Sequence, residues 1–486
     1  MPTYIAPAYF QDTVEIPARV FTFNPWVHSE WNNSTCSVGN TSKSGSKLFY
    51  VDKSGKGFGA AIQKAMDYCE SFGGGTIYLT NTTPYYLEGT TPYKWPNRVR
   101  MLGLGSRVTR IIKDANSPEN YLYRLSAFTS KGFTQGFFGV HHQGFTFEAS
   151  LPPGWDANEA QGAYWLAYGR ASSKSNFIDI RFYNCDSSGV GVEPVFSNQG
   201  ENGLTYNYSD IHCERLYTDG ASMGSGIAFG GPGPSNCNIF DSSIQARDSA
   251  IAYFCPQGLC YIFGNTINGF ESHTGAAIEL SLTQTLVGGY LVGMYNKITH
   301  YNGTGIFLND YGNNRNFYNR DCEFAYNTIS ECNVIGNGGG GNGIYVNGGR
   351  NISIHHNNVF DCQKHGIIQT ASLAKEGRNN TYFFNNIYNN STLQPGGFAN
   401  IALTVELEGK LFDNVVRNNN CYDNRAVRRT RNGLSVGVVG GYPATDYFAR
   451  NIVQNNFQRL NLNSNTWFNS NVRPVSELQT ANTIQI

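Results

Sequence analysis

Residues 295–360 read YNKITHYNGTGIFLNDYGNNRNFYNRDCEFAYNTISECNVIGNGGGGNGIYVNGGRNISIHHNNVF, and one short pattern occurs in them three times. Asn is followed, after one residue, by an aliphatic side chain: Asn296-Lys297-Ile298, Asn327-Thr328-Ile329 and Asn357-Asn358-Val359. Outward from this stretch the pattern returns at Asn265-Thr266-Ile267 on one side. On the other it returns at Asn385-Asn386-Ile387, Asn419-Asn420-Cys421 and Asn451-Ile452-Val453. The intervals are 31, 31, 30, 28, 34 and 32 residues. A second column of short apolar runs opens on a small residue, as at Gly226-Ile227, Ala277-Ile278, Gly305-Ile306, Gly343-Ile344 and Gly366-Ile367. Weaker copies of the unit begin near 178–185 and 211–217.

Each unit reads as two or three short strands joined by turns rich in Gly, Asn, Asp and Ser. One unit cannot bury its own apolar side. Units stacked at the strand spacing of roughly 4.8 Å bury a continuous core. The expected fold class is therefore all-β, a parallel β-helix of about ten or more turns. Asn suits the corners, because its amide donates to one turn, accepts from another and tolerates a left-handed bend. Cys185, Cys332 and Cys362 each follow an apolar anchor by three residues and are expected to stack inward as small core fillers.

The ends differ from the repeat. Residues 1–46 carry Pro, Trp and Ser/Asn-rich stretches and read as an N-terminal arm or attachment segment; 47–440 read as the β-helix domain; 441–486, which lose the Gly-Ile column, read as a C-terminal cap or oligomerisation segment. Phe58, Ile62, Ala65, Met66, Cys69 and Phe72 fall on one helical face, and Gly73-Gly74-Gly75 stops that helix. An amphipathic α-helix over the first turn would cap the open end of the solenoid.

Composition narrows the function. Of 486 residues 35 are basic and 35 acidic, so there is no basic footprint for nucleic acid or for an anionic membrane surface. Gly and Asn supply 55 residues each and aromatics 14%, unlike a disordered chain. No run approaches 18 apolar residues, and the N-terminal 20 residues lack the layout of a cleavable secretion signal. The 11 cysteines have no spacing of a disulfide framework or zinc site, so buried, reduced thiols and no metal or cofactor are expected.

The run AAIQKAMDYCESFGGGTIYL, 60–79, resembles the N-terminal signature of the pectate-lyase-like superfamily, and Val99–Leu102 with Thr109–Ile112 resembles the strands that follow it. The resemblance implies a right-handed parallel β-helix over about 50–460, a fold shared by pectinases, lyases and bacteriophage tailspikes. Where the family often has an acidic pair before the helix, this chain has Lys53-Ser54. The motif sets of polygalacturonases, calcium pectate lyases and mannuronan epimerases are absent, so none of their catalytic residues carries over.

What remains is a carboxylate pair of the kind that hydrolyses glycosides. With Ile227, Ile251, Ile278, Ile306, Ile344 and Ile401 aligned as inward, Glu279 points outward, and Asp310 lies one turn on and two to three positions along. Glu193 and Asp248 are further catalytic candidates bordering this face. Tyr345, Phe307, Tyr311 and Trp165 are the candidate sugar-stacking rings, and stretches 230–238 and 309–320 are expected to project as loops that wall a groove. Three classes stay open: a virion-borne, homotrimeric polysaccharide depolymerase made in a host cytoplasm and joined to other virion proteins through its arm; a non-catalytic receptor-binding spike; and an extracellular polysaccharide lyase.

Overall fold

The computed structural model describes residues 74–87, 98–113, 140–149, 173–183, 209–219, 226–229, 235–246, 249–254, 256, 258–269, 275–282, 288–310, 318–333, 340–371, 375–394, 397–406, 409–427, 430, 432–438, 448–449 and 451–459. It also describes residues 36–38, 48–51, 62, 65–67, 69, 93–94, 121–124, 128–129, 132–133, 165–168, 464–468 and 484–485. The chain is a parallel β-helix.

One turn shows the plan. Thr304–Asp310 belongs to a nine-stranded parallel sheet, here the front sheet. The chain then enters a 26-stranded sheet, the back sheet, through Glu323–Ala325, bends, and leaves through Thr328–Ser330 before the next front strand, Ile344–Asn347. The front sheet runs through Ile227–Phe229, Ile251–Phe254, Ala276–Leu282, Thr304–Asp310, Ile344–Asn347, Ile367–Ala371, Ile401–Val405, Asn432–Val438 and Ser464–Phe468. The expected alignment holds: Ile227, Ile251, Ile278, Ile306, Ile344, Ile367 and Ile401 pair in register and are all buried. Burial of each such side chain contributes roughly 2–3 kcal/mol.

The bend in the back sheet is made by two residues. The first is left-handed on successive turns: after Asp179 and Arg215 come Asp241, Gly264, Tyr295, Tyr326, His356, Phe384, Asn418 and Asn455, all with φ between 48° and 70°. The second points inward and is Ser242, then Asn265, Asn296, Asn327, Asn357, Asn385, Asn419 and Asn456, all buried. Each interior Asn makes four hydrogen bonds. Asn327 Nδ2 donates to the Gly293 carbonyl and to Asn357 Oδ1, both at 3.0 Å, while its Oδ1 accepts from the Asn296 backbone N–H and amide, both at 2.9 Å. The amide thus supplies the backbone partners that the bend takes from the ladder.

One reading is corrected here. Asn451 is not the seventh member of this ladder; Asn456 is, accepting from Asn419 at 2.9 Å. Asn451 ends a second ladder, Asn380–Asn414–Asn451, which precedes the back-sheet strands on three successive turns. Both corners carry Asn there, so an Asn-x-aliphatic pattern matches either. The expected 230–238 loop is also partly overturned, because Ser235–Phe240 is a back-sheet strand paired with Ser209–Asp219. Gly and Pro at 230–234 mark where that strand starts, not a longer loop.

The repeat continues past residue 440, through Ile452–Gln454, Phe457–Arg459 and Ser464–Phe468, and back-sheet pairing already occurs between Cys36–Val38 and Leu48–Val51. Ile62, Ala65, Met66 and Cys69 are helical and buried, with Asp67 exposed, as the capping face requires; Phe58 and Phe72 lie outside the described residues. The eight described cysteines are buried and free of disulfides; Cys332 and Cys362 stack on successive turns as expected, while Cys185 lies outside the described residues.

Two predictions follow from the interior. Asn327→Ala strands the Asn296 N–H and the Gly293 carbonyl, so it should lower unfolding free energy by about 3 kcal/mol or more. Asn418→Gly, at the left-handed position of the same corner three turns further on, should change it by less than about 1 kcal/mol; urea midpoints compare the two. The second concerns His365, whose Nδ1 accepts from the Ala399 N–H at 3.1 Å. Burial pulls its pKa down to about 4, with the Ala399 carbonyl opposing and Lys364 adding to the fall. Its folded value lies below the unfolded 6.5, so the unfolded chain binds more protons between those values. Stability is then lost as pH falls from about 6.5 to about 4, by up to about 3 kcal/mol from this residue. Melting temperatures from pH 7 to pH 4 should show the loss, with a smaller slope in His365→Gln.

Candidate functional site

On the outer side of the front sheet, the register sets Ala252, Glu279, Phe307, Tyr345 and Ile368 in one column. Glu279 is half-buried between fully buried Ile278 and Leu280, which confirms that it faces away from the core. Both carboxylate oxygens accept from serines: Ser249 Oγ donates to Oε2, and Ser281 Oγ to Oε1 at 2.5 Å. Ser249 lies just before the neighbouring front strand and Ser281 two residues along the same strand, so the carboxylate is pinned from two elements.

Phe307 and Tyr345, the next two members, stack with ring centroids 4.9 Å apart and planes at 25°. Identical spacing of successive turns brings like side chains to this separation, which suits offset stacking. The Thr370 hydroxyl donates toward the Tyr345 hydroxyl at 3.1 Å and toward Asn347 Oδ1 at 3.3 Å. Burial pushes the Tyr345 phenol upward; the Thr370 hydrogen bond opposes this and the Glu406 carboxylate adds to it. The phenol therefore stays protonated at neutral pH and can donate as well as accept.

Two positions along each strand, a second column on this side of the sheet is polar: Ser281, Asn309, Asn347 and Thr370, all buried, and Thr404, half-buried. Asn347 Nδ2 donates to Asn309 Oδ1 at 3.2 Å. The face thus presents a carboxylate and two stacked rings, all half-buried, backed by a line of buried amides and hydroxyls that hold Tyr345 and Glu279 in place.

Beyond the C-terminal ends of the front strands stand Arg320, Arg350 and Arg378, bridged one above the next. Arg350 lies over the Tyr318 ring at 3.8 Å and Arg320 over Tyr290 at 5.1 Å. Glu376 sits between Arg350 and Arg378, at 3.6 and 4.0 Å, and Asp413 holds Arg378 at 3.3 Å. These acids let three like charges stack. Neither this ladder, nor the polar column, nor Glu406 was singled out from the sequence. The signal was present for the ladder, since 350 − 320 = 30 and 378 − 350 = 28 repeat the intervals of the Asn corner.

The register pairs Asp310 with Leu282, one strand over and three residues along from the Glu279 position, as expected. Trp165 does not join this face: Trp165–Tyr168 lies in a separate three-stranded sheet, opposite Tyr121–Arg124. Glu193, Asp248 and Tyr311 lie outside the described residues. Among the described residues no group of three or more His, Cys, Asp or Glu side chains is placed to hold a metal ion, and no helix is long and apolar enough to cross a membrane.

The geometry was compared with known proteins. No protein-family model matches the chain, and a search of curated proteins finds no match. Solved structures do match. A tailspike protein variant of Escherichia coli bacteriophage HK620, in complex with a pentasaccharide, aligns over 89% of this chain and 78% of its own, with TM-score 0.52 and 12% identity. Tailspike protein 3 of bacteriophage CBA120 aligns over 89% of this chain and 60% of its own, with TM-score 0.51 and 13% identity. The A-module of a mannuronan C-5 epimerase of Azotobacter vinelandii aligns over 86% and 95%, with TM-score 0.49 and 12% identity. The parallel β-helix fold is shared with these two tailspike structures. At such identities the likeness is one of fold alone.

If the two rings form one rigid unit, Tyr345→Phe removes only the Thr370 contact and should lower stability by about 1 kcal/mol, whereas Tyr345→Ala should lower it by about 3 kcal/mol. Urea melts of the two variants measure the difference.

Proposed function

We propose that this chain binds a polysaccharide along the front sheet and hydrolyses it, as a tailspike-type depolymerase. The observation that carries the reading is the single outward column in which a pinned carboxylate, Glu279, adjoins the Phe307–Tyr345 stack, with a parallel line of hydroxyls and amides beside it. Ring faces and edges take up the apolar sides of sugars, while the Tyr345 hydroxyl and the Glu279 carboxylate meet their hydroxyls and the buried polar line holds both in place. The pentasaccharide complex of a tailspike with the same fold supports this choice of ligand class.

Hydrolysis needs an acid that protonates the leaving oxygen and a carboxylate that activates water or faces the developing positive charge. Both oxygens of Glu279 act as acceptors, which suits the second role. We assign the acid to Asp310, at a backbone separation of roughly 10 Å, a span that two side chains reduce to the inverting range. Glu193 and Asp248 are kept as further carboxylates of the same face, and Tyr311 as a further sugar contact. In this reading the protein is a homotrimer carried on a virion, made in a host cytoplasm and attached through residues 1–46.

The test is degradation of bacterial capsule, O-antigen, alginate and pectin, read both by new reducing ends and by ultraviolet absorbance. Wild type should release reducing ends without absorbance, and Glu279→Gln and Asp310→Asn should lower the rate by about 10²–10⁴ while the polymer still binds. Absorbing products would instead mean a lyase. Equal rates in Glu279→Gln and wild type would sink the assignment of Glu279, and binding without any cleavage would leave a receptor-binding spike.

A further inference from the structure

A second face of the solenoid carries aromatic side chains where the backbone disfavours them. At the left-handed corner the outer turns have Asp179, Arg215, Asp241, Gly264, Asn418 and Asn455, all but Arg215 residues that this conformation favours. The four turns between them have Tyr295, Tyr326, His356 and Phe384 at φ of 53–57°. Neither bulk nor burial accounts for this choice, because the ring side chains point to solvent: Tyr326 is 36% and Phe384 50% exposed. The rings run in one stripe, Tyr295 to Tyr326 at 5.1 Å, Tyr326 to His356 at 4.9 Å and His356 to Phe384 at 5.2 Å.

The surroundings of the stripe are polar in a specific way. Next to it on the outgoing strands the outward column reads Lys297, Thr328, Asn358, Asn386, Asn420. Asn386 Nδ2 donates to Asn358 Oδ1, and Asn420 Nδ2 to Asn386 Oδ1, both at 2.9 Å. The Asn420 Oδ1 that ends this line is buried without a hydrogen-bond partner. Beyond it stands another stack, Phe360–Tyr388–Tyr422, with centroids 4.9 Å apart and planes within 5°. Two aromatic rails therefore flank a line of amides and hydroxyls. The line carries one charged side chain, Lys297, at one end. A subunit contact centres on close-packed apolar groups; here amides occupy the centre.

We propose that this corner is a second carbohydrate-binding surface, which holds a neutral polysaccharide chain along the solenoid axis between the two aromatic rails. It is separate from the front sheet, because the chain crosses one back-sheet column before reaching the corner and another before returning. The inference shares the ligand class of the front-sheet reading and does not depend on its chemistry. A surface of this kind would keep the protein on a long polymer while another face acts on it.

The experiment uses the full chain in affinity gel electrophoresis against dextran, neutral O-antigen polysaccharide and the capsule preparations. The front face is disabled by Glu279→Gln with Tyr345→Ala. In that background at least one polymer should still retard the protein. Adding Tyr326→Asn and Phe384→Asn should weaken the retardation at least tenfold. Asn suits the left-handed corner, so melting temperature should be unchanged or higher. Retardation that survives both corner substitutions, or its complete absence in the front-disabled protein, overturns the proposal. So does a change of oligomeric state on corner substitution, by light scattering, which would make the stripe a subunit contact. Failure of the front-sheet reading shows itself differently, as polymer left uncut by wild type.

Discussion

The structure depends on one inward Asn at one corner. A β-chain that bends sharply exposes an N–H and a carbonyl to the apolar interior, and each unsatisfied group there would cost a large part of a domain's net stability. The Asn amide serves both deficits and hands the same service to the next turn. Asn265, Asn296, Asn327, Asn357, Asn385, Asn419 and Asn456 form an unbroken chain of such contacts. The turns from Asn265 to Asn456 are thereby held to their neighbours in one register, and a one-residue slip among them would both break these bonds and turn the Ile residues of the front sheet outward.

Fixed register has a consequence for the surface. Side chains that leave the same position on successive turns must stand one strand spacing apart, so the outer face consists of columns. Like residues in a column interact: rings stack, amides link, and like charges require interleaved acids, as Glu376 does between Arg350 and Arg378. A column is also a ready match to a ligand that itself repeats along one direction. The interior sets the spacing, and the outer residues are then free to specify chemistry without altering the fold.

This division explains what was legible in the sequence. The Ile column and the Asn corner were legible because every turn must meet the same interior demand. Glu279 was legible as outward because it breaks an apolar run whose inward members were already fixed. Asn451 was misplaced because a second corner adopted the same solution, and spacing alone does not tell two Asn corners apart. The polar column and the arginine ladder were harder to read, since they are defined by neighbours about 30 residues away. Tyr326 and Phe384 gave no sign of their backbone conformation, because aromatic residues are not what a left-handed corner ordinarily takes.

That last point separates structural from functional demands. If only the fold were served, the corner column would favour Asn, Gly and Asp, as it does at Asp179, Asp241, Gly264, Asn418 and Asn455, with Arg215 the one exception outside the stripe. Ring stacking returns some of the strain, with aromatic pairs contributing about 0.5–1.5 kcal/mol against a left-handed penalty of about 1–2 kcal/mol for each residue. The two terms nearly cancel, so stability provides little reason to prefer Tyr, His or Phe there over Asn. The front sheet poses no such conflict, because Phe307 and Tyr345 lie on extended strands that accept aromatic residues readily. The corner stripe thus differs from the front face in kind: its aromatic side chains stand against the preference of the backbone they occupy, whereas those of the front sheet follow it.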